Sequence, residues 1–171
     1  YGEYHKGDAI LVFVAEDINT EAQVKHDGAN GPKAPVLKVN FNRKFWTGIY
    51  PYATLMSVSS PVDGTSPALK VSGSCEEWCG HTYMQLNRRG KQYNGVVHSY
   101  FPGEGDQEWK VDPGILEDEI WTRIRLNPDK LPLGDLKVFP GVTYIRLLHQ
   151  PETVRNATGT LTQEGDLQVY T

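Results

Sequence analysis

Short runs of alternating apolar and polar residues, set apart by glycine and proline, recur along this chain and commit most of it to β-structure. In Val36-Leu37-Lys38-Val39-Asn40-Phe41, Leu37, Val39 and Phe41 fall on one side, while Lys38 and Asn40 fall on the other. Tyr52–Ser59, Ala68–Val71, Thr82–Leu86 and Tyr93–Phe101 continue the pattern, as do Val142–Leu148, Thr153–Leu161 and Leu167–Tyr170 near the end. Ala9-Ile10-Leu11-Val12-Phe13-Val14 is apolar without a break and reads as a strand buried on both faces. The 17 glycines and 11 prolines fall mostly between these runs, where turns need them.

One segment has a different period. Asp112-Pro113 suits a helix N-terminus, and Ile115, Leu116, Ile120, Trp121 and Ile124 follow at near-helical spacing until Pro128. This predicts one accessory helix over about 113–127, with Glu117-Asp118-Glu119 in its first turns. Asp17 to Pro35 is polar and reads as a mobile surface loop. The expected fold is mainly β: an antiparallel, strongly curved sheet or partly closed barrel with one helix against it, the alternative being a two-sheet sandwich. No repeat or linker divides residues 1–171, which read as a single β-rich domain. The chain begins at Tyr1 and stops at Thr171 inside a strand pattern, so it is expected to be a truncated piece of a longer protein at both ends.

The net charge of −4 lacks the basic footprint of a nucleic-acid binder, and no apolar run is long enough for a membrane helix. Nucleotide-loop, serine-elbow and zinc-protease motifs are missing from the sequence, and no cofactor is expected. The densest reactive stretch is Ser74-Cys75-Glu76-Glu77-Trp78-Cys79-Gly80-His81-Thr82-Tyr83. If Asn87-Arg88-Arg89-Gly90 is a hairpin turn in which Asn87 faces Gly90, then Met84 faces Tyr93, His81 faces Val96 and Cys79 faces His98. Facing residues share a side, which would group Cys79, His81 and His98, with Glu77 extending the row.

Three chemistries fit that group. A thiol beside an imidazole can become a thiolate nucleophile, making Cys79, His81, His98 and Glu77 the catalytic candidates. Cys75, Cys79, His81 and His98 could ligate a metal such as zinc. Cys75 and Cys79 could form a local disulfide, or remain inert thiols. Phe45-Trp46 and Tyr50-Pro51-Tyr52 could form a sugar- or lipid-contacting platform, or fill the interior of the sheet.

Tyr1-Gly2-Glu3 with Ala9–Val14, Val36–Phe41, Thr47-Gly48-Ile49-Tyr50-Pro51-Tyr52 and Glu77-Trp78-Cys79-Gly80-His81-Thr82-Tyr83 carry a resemblance. Over most of its first hundred residues the chain resembles a family of bacterial exported and lipoprotein-like proteins that often bear the label "septum formation inhibitor". The resemblance implies a bacterial periplasmic or cell-envelope location, supplies no catalytic residues, and draws attention to Cys79 and His81 over Cys75. The expected function is non-enzymatic binding or scaffolding, with an apolar small molecule or an envelope protein as partner. The alternative is an enzyme or metal-binding protein centred on Cys79, His81 and His98.

Overall fold

The computed structural model describes residues 4–28, 30–112 and 114–171. Seven strands form one antiparallel meander in sequence order: β1 Gly7–Asn19, β2 Lys33–Thr47, β3 Tyr50–Pro61, β4 Lys70–Glu77, β5 Gly80–Arg89, β6 Gln92–Ser99 and β7 Gln107–Val111. β1 and β7 are not neighbours, so the sheet stays open and the barrel is not formed. Its second layer is built from β8 Ile115–Leu116, helix α1 Ile120–Leu126, β9 Gly134–Phe139, helix α2 Val142–Leu147 and β10 Arg155–Gly159, with β8, β9 and β10 in a small sheet of their own. A last hairpin joins β11 Leu161–Glu164 to β12 Leu167–Tyr170.

Strand alternation separates the two faces of the large sheet. Val39, Val58, Val71 and Leu86 face one another across β2 to β5, as do Phe41, Met56, Gly73 and Met84 in the next row. All but Gly73 are buried, and they form the core with Phe139, Val142 and Ile145 from the second layer. Two glycines make this packing possible. A Cβ on Gly73 would lie 2.5 Å from Val142 Cγ2, and one on Gly95 would lie 2.3 Å from the Trp109 ring. The missing side chains are what let α2 and that indole lie flat on the sheet.

Carboxylates tie the second layer down. Glu119 Oε2 accepts from the Ala68 N–H at 2.5 Å, Asp118 Oδ2 from the Val142 N–H at 2.8 Å, and Glu117 Oε2 from the Gly141 N–H at 2.9 Å. Arg123 donates to Glu119 Oε1 at 3.1 Å. Tyr93 reaches across to the Ala68 carbonyl at 2.6 Å.

Several expectations change. The helix expected over 113–127 begins only at Ile120, after a 3-10 turn over Glu117–Glu119, because Ile115 and Leu116 pair in parallel with Val138 and Phe139. Its expected first residue, Pro113, lies outside the described residues. Val142–Leu147 is a helix, not a strand: Glu117 and Asp118 capture the free N–H groups of Gly141 and Val142 at its start. β1 is an edge strand rather than one buried on both faces, and Ile10, Leu11, Val12 and Val14 are exposed. The 17–35 segment is strand only at its two ends, 17–19 and 33–35, and the loop between them is anchored rather than mobile. Gln23, buried within it, accepts from Asn87 Nδ2 at 2.7 Å and donates to the Arg88 carbonyl at 2.7 Å.

Candidate functional site

β5 and β6 are adjacent antiparallel strands, as the alternation predicts, but the turn sits two residues later than expected. Arg89 faces Gln92 around Gly90-Lys91, with Gly90 at φ +65° in the first turn position, where two-residue hairpins use glycine. The shared faces survive this change and the facing pairs do not. His98 faces Tyr83, not Cys79. Cys79 occupies the two-residue turn with Trp78 between β4 and β5, four positions from Tyr83 and so about 13 Å along an extended chain.

The group expected around Cys79 is therefore dispersed. His98 Nδ1 lies 3.0 Å from Asp106 Oδ1, and His81 is exposed opposite Glu76. Glu77 turns inward: its carboxylate accepts from the Cys79 N–H at 3.2 Å and lies 3.8 Å from the Arg146 guanidinium. Local desolvation and the Glu77 charge push the Cys79 thiol up, the opposite of what an activated nucleophile needs. Of the two states open to Cys75 and Cys79, the disulfide is not formed. Both cysteines are free, Cys75 buried on the core side of β4 and Cys79 exposed at the turn. Burial raises the Cys75 pKa, against the opposing pull of Arg146. Among the described residues no group of three or more His, Cys, Asp and Glu side chains could hold a metal ion, so Cys75, Cys79, His81 and His98 do not converge as ligands.

The open site lies beside them on the outer face. Alternation splits the aromatic runs. Phe45 and Tyr52 stack on the inner side at 5.1 Å and 8°, while Trp46 points outward beside Pro51. The β2–β3 and β4–β5 hairpins end side by side. Trp46 is 51% exposed and Trp78 67%, and Tyr50 leans on Trp78 with ring centroids 5.5 Å apart. Between them is a cleft of about 270 Å³ lined by Trp46, Trp78, Ala53, Lys44 and Glu76. Lys44, Ala53, Glu76 and His81 form one row across the sheet, so His81 continues the polar rim. Tyr52 borders the same cleft although its ring stacks inward on Phe45; burial, then the Glu77 charge, raise its pKa.

The next rows are polar apart from Leu55, which lies between Asn42 and Ser74. Asn42, Ser74 and Tyr83 are followed by Asn40, Ser57, Ser72 and Gln85. Tyr83, Gln85, Asn87 and Gln23 form a hydrogen-bonded chain with donor–acceptor distances of 2.6, 2.5 and 2.7 Å. Under α2, by contrast, the inner face leaves a slit of about 20 Å³ against β4–β6, room for about one water. Trp78 was in view as part of the Cys-rich stretch, but its role is not readable there. The signal is two hairpin ends that each carry an outward indole.

Compared with known protein families, curated proteins and solved structures, the chain has no match.

Proposed function

We propose that this chain is a non-enzymatic binding protein of the bacterial cell envelope, and that its outer sheet face holds a saccharide between Trp46 and Trp78. The observation that carries the reading is the pair of exposed indoles across an open cleft with Lys44 and Glu76 at its rim. A sugar ring offers an apolar C–H face and a girdle of hydroxyls. The indoles match the first by contact, and charged side chains match the second by charge-assisted hydrogen bonds. Exposing two tryptophans to water is unfavourable for an isolated fold, so their placement together points to a ligand. The outward Asn, Ser, Gln and Tyr rows give a longer chain of sugars further polar partners. The envelope location rests on the resemblance, and two of the segments that carry it, 47–52 and 77–83, flank the cleft.

Tryptophan fluorescence titrated with a panel of soluble chito-, cello- and xylo-oligosaccharides tests this. The expected result is saturable quenching by at least one series, lost in Trp46→Ala and Trp78→Ala while the far-UV spectrum stays native. No saturation with any series, or partition onto phosphatidylcholine vesicles through the same tryptophans, overturns the saccharide reading.

A further inference from the structure

The open edge of β1 is self-complementary, and we infer that two copies of this chain join there, β1 against β1, into one continuous sheet. At its C-terminal end the edge is already occupied. Val24–His26 fold back along it, with Asn19 N–H donating to the Val24 carbonyl at 2.8 Å and His26 N–H to the Asp17 carbonyl at 2.9 Å around an Ile18–Lys25 bridge. Beyond that cap, Asp8 to Glu16 have no strand neighbour on the open side among the described residues. Between the charged ends Asp8 and Glu16, the stretch has none of the usual protections of an edge. It contains no proline or lysine, its pairing with β2 runs from Gly7 to Asn19 without a bulge, and Ile10 and Val12 are 59% and 43% exposed. The opposite edge, β7, is a short strand bearing Glu108 and Lys110.

The sequence of the open stretch selects the occupant. An antiparallel pair on a two-fold axis makes each residue face its mirror position about the centre. About Val12, Ala9 faces Ala15, Ile10 faces Val14, Leu11 faces Phe13 and Val12 faces itself, so every facing pair is matched in character. The backbone agrees. The cap bonds use the Asp17 carbonyl and the Asn19 N–H, so odd-numbered residues of β1 direct their N–H and C=O groups to the open side. Ala9, Leu11, Phe13 and Ala15 would form the hydrogen-bonded pairs, and Val12 the close pair on the axis. Asp8 would face Glu16, but each has a lysine on β2. Glu16 is 3.0 Å from Lys38 Nζ, and Asp8 is in register with Lys44. On the inner side, α1 rests Trp121 on Phe41 and Arg125 over Phe13 and leaves Trp121 and Ile124 exposed, where the partner's α1 would cover them.

Sedimentation equilibrium across a concentration series, with cysteine cross-linking, tests the pairing. The native chain should show dimer mass. Val12→Lys, which sets two like charges face to face at an exposed position, should be monomeric at those concentrations with an unchanged far-UV spectrum. In a Cys79→Ser background, oxidised Val12→Cys should link to itself. Ile10→Cys should not, but should link when mixed with Val14→Cys. A native monomer throughout, a Val12→Lys dimer, self-linking of Ile10→Cys, or a monomer that takes up an unrelated apolar peptide along β1 each overturns the inference. Oligosaccharide quenching in Val12→Lys reports on the cleft separately.

Discussion

The same strands make both faces of the large sheet, by the same alternation, and the two faces do opposite work. Along β4 and β5, Val71, Cys75, Thr82, Met84 and Leu86 turn inward and are buried; Ser72, Ser74, Tyr83, Gln85 and Asn87, interleaved with them, turn outward. Two helices and a small sheet pack against the inner face and bury its central rows. The outer face ends in an open cleft between two indoles. Stability is concentrated on one side of the strands, and recognition is free to occupy the other without a cost to folding.

The sharpest way to break that contrast is to truncate one large side chain on each face. Leu86→Ala removes a fully buried residue and should cost about 2–5 kcal/mol in urea unfolding. Trp78→Ala removes a larger side chain that is two-thirds exposed, and should cost no more than about 1 kcal/mol, the value of its ring contact with Tyr50. Equal losses would mean that the cleft is part of the core.

The inner face should also carry the pH dependence. Burial pushes the Asp118 carboxyl up from its ordinary 3.8 to about 7, against the Val142 N–H bond and Arg43, which favour the charged form. A carboxyl that holds its proton more tightly folded than unfolded stabilises the fold at low pH. Its contribution is complete below about pH 4 and fades as the pH rises through about 7, on the order of a few kcal/mol in total. Unfolding free energy should therefore fall between about pH 4 and pH 7. Asp118→Asn, whose amide oxygen can still accept from Val142, should flatten that slope. A slope that survives the substitution assigns the effect to another group.

How far the sequence speaks for each face follows from range. The inward rows were legible because alternation is a local property, and a turn displaced by two residues still left Met84, Leu86 and Tyr93 on the core side. Pairing is not local in that sense. Moving the turn from Arg88-Arg89 to Gly90-Lys91 displaced His98 along the strand from Cys79 and dissolved the expected site. Ile10 to Val14 misled because an unbroken apolar run looks the same whether helices or a missing neighbour strand account for it. Val142–Leu147 misled because its β-branched residues favour a strand, while carboxylates more than twenty positions earlier start it as a helix. Trp46 could be assigned outward only once Phe45 and Tyr52 were seen stacked inward.

The smallest effect belongs to the cysteines, which stand on the two sides of the same contrast. Cys79→Ser should change stability by no more than about 0.5 kcal/mol, since its side chain is exposed in a turn. Iodoacetamide should label one thiol in the folded protein and the second only after unfolding, because Cys75 is 2% exposed on the core side of β4. The Cys79 reaction should rise only at pH values above the ordinary thiol range, given the Glu77 carboxylate beside it. Glu77→Gln removes that charge and should bring the reaction to lower pH. His98→Ala should leave the profile where it is, because His98 lies opposite Tyr83 and pairs with Asp106. A His98→Ala shift, or two thiols that label only after reduction, would put Cys79 back among reactive partners and move the chemistry from the cleft to the turn.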